Sequence, residues 1–215
     1  MTAFTLKMIA VMSMLIDHSG HTLFPEYGIM RDIGRLAFPI YAFFIVEGYH
    51  HTRDPYRYLR RLLIFAFISE IPFDLALQDG QFFDLNHQNV YFTLAIGLLM
   101  LILINKYRDD LYLQALVVLS CFMIAEYLHT DYSWRGVVTI LMFELFRYNP
   151  VMKIVSTGLI FTKIMYWKQG YATLAHIPLS FYNGKRGPDN KFFKMFFYAF
   201  YPIHLLAIYY IYEYM

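Results

Sequence analysis

Polar residues divide this chain into long apolar stretches with helix-like spacing. A bilayer-spanning helix needs roughly 17–25 mostly apolar residues. Nine segments qualify or come close, near residues 4–23, 33–51, 56–77, 89–105, 111–128, 134–147, 150–167, 170–182 and 193–213. The sixth and eighth are short. At 1.5 Å per residue they reach roughly 20 Å, which suits tilted filler or a re-entrant segment as well as a full crossing. The pattern predicts an all-α, polytopic transmembrane bundle of about nine spans, with eight and ten as its bounds.

Composition strengthens that picture. Of the 215 residues, 59% are hydrophobic and 16% charged, against about a quarter charged in ordinary soluble domains. So much apolar surface calls for lipid as part of its solvent. Aromatics make up 20%, which suits lipid-facing surfaces and interfacial belts. No polar or Gly/Ser-rich linker and no fixed-period repeat divides the chain, so residues 1–215 are expected to form a single membrane domain. The run Phe4 to Leu15 is read as the first span rather than a signal peptide. It lacks a basic start and a small-x-small cleavage site, and it ends in Asp17-His18.

The net charge of +2 gives no reason to expect a nucleic-acid partner. Its distribution predicts a topology instead. Arg53, Arg57, Arg60 and Arg61 follow the second span, Lys106 and Arg108 the fourth, and Arg147 and Lys153 the sixth. Lys185, Arg186, Lys191 and Lys194 follow the eighth. The alternate loops hold mainly Arg31, Arg135 and Lys168, and one is acidic, with Asp74, Asp79 and Asp84. The amino terminus is therefore expected in the cytoplasm. Cys121, the lone cysteine, sits in an apolar run and is read as a small core residue.

Ionisable side chains inside spans are costly, so each needs a partner or a task. The predicted topology gathers Asp17, His18, Arg35, Glu70, Gln88 and Asn89 into one outer-leaflet layer, with His204 and His176 near mid-span. One reading is structural: Asp17 and Arg35 form a buried ion pair, and Asn89 caps the fourth span. The chemical reading makes His18 a general base next to a carboxylate, with His204 as its rival. On the opposite side, Asn183-Gly184-Lys185-Arg186-Gly187 combines glycines with cations that suit phosphate oxygens, as do Arg53 and Arg57. Topology alone also accounts for basic loops. Walker, dinucleotide-binding, zinc-protease and Gly-x-Ser-x-Gly motifs are all missing, and no metal site is expected.

Several stretches resemble the TraX family: Leu15-Ile16-Asp17-His18-Ser19-Gly20, Gly34-Arg35-Leu36-Ala37-Phe38-Pro39-Ile40 and Ser69-Glu70-Ile71-Pro72-Phe73. So do Gln88-Asn89-Val90-Tyr91-Phe92-Thr93-Leu94, Tyr182-Asn183-Gly184-Lys185-Arg186-Gly187 and Tyr201-Pro202-Ile203-His204-Leu205. The likeness runs in order along nearly the whole chain. It implies a multi-pass protein of a bacterial cell membrane, in a family whose named member N-acetylates a conjugative pilin. The family is also distantly similar to membrane acyltransferases that use acetyl-CoA, in which a histidine near the first span and a following arginine are central. His18 and Arg35 are the matching positions.

Residues and resemblance together lead to the expectation of an acetyltransferase. Acetyl-CoA would come from the cytosol, with Arg53, Arg57, Asn183, Lys185 and Arg186 at its phosphates. His18 would be base or acyl carrier, with Asp17, Arg35, Asn89, Glu70 and His204 around the reaction. The acceptor would be an amine or hydroxyl at the outer face. The competing readings are a small transporter or channel and a non-catalytic assembly factor for a surface structure.

Overall fold

Side chains at the loop ends start the helices. In the computed structural model, Thr2 accepts from the Thr5 amide to open α1 (Ala3–Thr22), and Asn89 accepts from Tyr91 to open α5 (Val90–Lys106). Asp110 caps α6 (Leu111–Tyr127) through Leu113, and Asn190 caps α10 (Lys191–Tyr214) through Phe193. Such caps satisfy amides that the first helical turn leaves without a partner. Two further helices begin on proline, where the missing N–H costs nothing. They are α4 (Pro55–Leu77) and α8 (Pro150–Leu159). Asp54 accepts from the Arg57 amide in front of the first, and Asn149 from Met152 in front of the second.

The remaining helices are α2 (Gly28–Gly34), α3 (Ala37–His51), α7 (Ser133–Leu145) and α9 (His176–Ser180). A π-helical segment, Ile160–Ile164, and a 3-10 segment, Trp167–Ala175, lie between α8 and α9. The structure describes residues 1–78, 80, 82, 84, 86–165 and 167–215, with the backbone alone at 167–169. Asp79 and the Lys168 side chain, both used above in reading topology, lie outside the described residues. The described residues are all-helical apart from loops and one isolated bridge between Gln88 and Thr130.

Three of the apolar segments take a less regular form than a single span. Segment 33–51 is broken at Arg35-Leu36, where α2 ends and α3 begins. Segment 150–167 runs from α8 into the π turn, and segment 170–182 is mostly 3-10 helix followed by the short α9. Among the described residues one helix, Lys191–Tyr214, is long and apolar enough by itself to cross a membrane. Val90–Lys106 and Leu111–Tyr127 are apolar but shorter. The helices α1 and α4 have the length, but α1 carries Lys7 and Asp17, and α4 carries Arg57, Arg60, Arg61, Glu70 and Asp74. The same polar residues that suggest a function lower the hydropathy of the helices that hold them.

The chain divides into two units. The first comprises Met1–Tyr41, Ile68–Phe83 and Gly158–Met215. Here α1 packs against α2 and α10, and the 3-10 segment packs against α2 and α9. The second comprises Ala42–Phe67 and Asp84–Thr157, with α5, α6 and α7 in mutual contact. Its central helix, α5, is buried from Thr93 to Leu98 without a break. Gly97 makes this packing possible, because a β-carbon there would lie 2.3 Å from Ile140 Cδ1.

Candidate functional site

In the first unit α1 and α10 bring together two histidines separated by 186 positions. His18 Nδ1 and His204 Nε2 lie 2.7 Å apart. The ring planes are 9° apart with centroids at 5.0 Å, as expected for coplanar rings joined edge to edge. Phe200 stacks on His204 at 4.8 Å, and Tyr201 sets its edge against both imidazoles. His204 is 4% exposed, whereas His18 is half-buried.

The hydrogen bonds assign the proton positions. His204 Nδ1 faces the Phe200 carbonyl at 2.8 Å. A carbonyl only accepts, so this nitrogen carries the hydrogen. In a neutral ring His204 Nε2 is then an acceptor, and His18 Nδ1 donates to it. The remaining lone pair of the dyad is on His18 Nε2. A half-buried imidazole with its second nitrogen held in this way is equipped to take a proton from a nucleophile.

Asp17 is next to His18 in sequence but serves another contact. Arg31 Nη1 lies 3.1 Å from Asp17 Oδ1 and donates to the Asp17 carbonyl at 3.3 Å. Close helix packing imposes this arrangement. A β-carbon on Gly34 would lie 2.2 Å from Asp17 Cβ, and one on Gly20 would lie 2.5 Å from Met30 Cβ. Arg35, one turn beyond Arg31, is half-buried and, like Arg31 and His21, within electrostatic reach of His18. Asp17 is thus paired with Arg31, a contact not expected from the sequence. Sequence reasoning counted Arg31 only as a loop cation, although its one-turn spacing from Arg35 places both on one side of a short helix.

The first unit also holds a buried acidic stretch of α4. Glu70 is 7% exposed, while Ser69 and Asp74 are fully buried. Asp74, assigned from sequence to an acidic loop, is a helical core residue one turn from Glu70. Thr22 Oγ1 donates to the Ala76 carbonyl at 2.9 Å and ties the end of α1 to this helix. His176 heads α9 and is buried.

Asn89 belongs to the second unit. It is fully buried, caps α5 and donates through Nδ2 to the Ala66 carbonyl at 2.8 Å. Arg53 and Arg57 are exposed there, and Arg57 pairs with Asp54 at 3.5 Å. Asn183, Lys185 and Arg186 are in the first unit, in a loop built onto the start of α1. The Ala3 and Phe4 amides donate to the Lys185 and Arg186 carbonyls, and Asn183 Oδ1 accepts from the Lys185 amide. Gly187 has φ +71, and a β-carbon there would lie 2.6 Å from Thr2 Oγ1, so this glycine is required by the loop's own closure.

Comparison with known proteins accords with this reading of the motifs. The chain is 31% identical to "Probable fimbrial assembly protein FimC, serogroup H1" of Dichelobacter nodosus, over 96% of this chain and 94% of that protein. A shorter likeness, 44% identical, joins 31% of the chain to 25% of "Uncharacterized protein RP591" of Rickettsia prowazekii (strain Madrid E). No solved structure matches. The family model described as "TraX protein" matches residues 3–212, and the chain belongs to the TraX family.

Proposed function

We propose that this protein is a multi-pass membrane acetyltransferase that moves an acetyl group from cytosolic acetyl-CoA to an acceptor amine or hydroxyl at the outer face. The observation that carries the reading is the His18–His204 dyad, which leaves His18 Nε2 as its one basic nitrogen. The acceptor's nitrogen or oxygen attacks the thioester carbonyl while His18 Nε2 takes its proton. Arg35 is the candidate donor to the oxyanion, an interaction whose removal costs about 3–4 kcal/mol in well-studied sites. Collapse breaks the C–S bond, and the proton on His18 neutralises the departing thiolate. His204 accepts from His18 Nδ1 throughout and fixes the ring's orientation, the task a carboxylate performs in hydrolase triads.

The membrane setting draws on composition and on exposed apolar side chains. Along α6, Leu111, Leu116, Leu119 and Met123 all face outward, a surface that lipid would cover. Nine crossings with a cytoplasmic amino terminus agree best with the lysine and arginine pattern. The fimbrial relative favours a pilus-related setting, in which a pilin amino terminus is the acceptor of choice. The same relative's name also favours a second reading, a non-catalytic assembly factor. Labelled acetyl-CoA supplied to the cytoplasmic side of proteoliposomes separates the two. Label reaching an outward-facing amine supports the enzyme, and no transfer to any amine or hydroxyl acceptor supports the assembly factor.

A further inference from the structure

At the loop between α9 and α10, cations from the loop and from α10 close on an acid of that loop. Arg186 Nη1 and Lys194 Nζ lie 3.3 and 3.2 Å from a single oxygen, Oδ2 of Asp189. Lys7 of α1 stands 5.5 Å over the Phe197 ring and within electrostatic reach of Asp189, Arg186 and Lys194. Two cations thus converge on one carboxylate, with Lys7 as a third charge nearby. The loop that presents Arg186 and Asp189 is fixed to α1 by the Lys185 and Arg186 carbonyls and by the close approach of Gly187 to Thr2.

Like charges brought together on a fixed frame repel, and one monoanionic carboxylate offsets only part of that repulsion. A phosphate monoester carries up to two charges and three acceptor oxygens, and an arginine fork matches two of those oxygens at once. We propose that Lys7, Arg186 and Lys194 form a phosphate-binding site and that Asp189 is its internal counter-ion, displaced from Arg186 and Lys194 when the phosphate arrives. Asp189 therefore sets the affinity of the site: it keeps the cations gathered when the site is empty and weakens binding by competing. The proposal rests on the acetyl-CoA reading only for which molecule carries the phosphate. The other source of the same chemistry is the headgroup of an anionic phospholipid.

The test is binding by the full chain, purified in detergent or in nanodiscs, with no transfer reaction involved. The soluble probe is adenosine 3′,5′-bisphosphate, and the lipid probe is phosphatidic acid in the nanodisc. Asp189→Asn should tighten binding about fivefold, the scale of removing one exposed charge contact. Arg186→Ala with Lys194→Ala should weaken it by about tenfold or more. Lys194→Gln, which leaves Asp189 in place, should weaken it less. Thermal unfolding of each variant shows that the fold is retained. Whichever probe follows this order supports the site and identifies its source. If Asp189→Asn binds both probes no better than wild type, or if neither probe binds, the counter-ion role is wrong. A protein that follows the order but transfers no acetyl group overturns the enzyme reading and leaves this site standing.

Discussion

His18 donates from Nδ1 to His204 Nε2 across 2.7 Å, and His204 in turn donates to the carbonyl of Phe200. In the proposed mechanism the two imidazoles therefore have unequal roles, His18 as the base and His204 as the group that holds it in place. Replacing His204 tests the division. Glutamine keeps an acceptor for His18 Nδ1–H, and leucine removes it. His204→Gln should retain most of the turnover. His204→Leu should lose on the order of 10- to 100-fold, as when an orienting partner of a working histidine is removed. Equal losses in both variants would show that acceptance from His18 is not what His204 contributes.

At Gly34 α2 lies close against α1, with Asp17 filling the space a β-carbon would take. Gly34→Ala should force the helices apart and separate Asp17 from Arg31. Overpacking of this kind costs about 1–3 kcal/mol. Thermal unfolding in detergent should show it, while Gly28→Ala, with nothing within 4 Å of its β-carbon, should have no comparable effect.

Asn89 has a defined structural task as cap of α5 and donor to Ala66. Losing the cap costs about 1 kcal/mol, and the buried carbonyl left without its donor adds about as much. Asn89→Ala should therefore lower stability by about 2 kcal/mol. The fraction that remains folded should turn over within a few-fold of wild type. A loss of turnover far beyond the loss of folded protein would show that Asn89 also takes part in the reaction.

What could be read from the sequence follows from how local each cause is. The caps at Asn89, Asp110 and Asn190 lie beside the helices they start, so those helix beginnings are legible from spacing alone. Asp17, His18, Arg35 and Glu70 stand out as polar residues in apolar runs, and the first unit does contain all four. The partners are a different matter. His204 reaches His18 only because α10 packs on α1, and no periodicity encodes that contact. Arg31 reaches Asp17 because α2 is a separate short helix set close by Gly34. Asp74 falls inside the apolar segment 56–77 yet counts by charge with the acidic loop that follows, and α4, which continues through Pro72 to Leu77, holds it in the core.

The proposed topology can be tested by cysteine labelling. Cys121 is buried, so its background should be low, and Cys121→Ala removes it. Single cysteines at Lys185 and Arg53 should react from the cytoplasmic side, and one at Asn86 from the outer side. Lys185 accessible from outside would contradict the nine-crossing arrangement.

The most direct measurement of the central claim is acetyl turnover by His18→Ala in proteoliposomes, with acetyl-CoA on the cytoplasmic side and an amine acceptor on the other. Acetyl-CoA binding is measured on the same preparation. A general base contributes about 10²–10⁴-fold. With His18 as the base, His18→Ala loses at least that lower bound with acetyl-CoA affinity retained, and His204→Ala loses less. Near-normal turnover by His18→Ala, or a larger loss for His204→Ala, would contradict it.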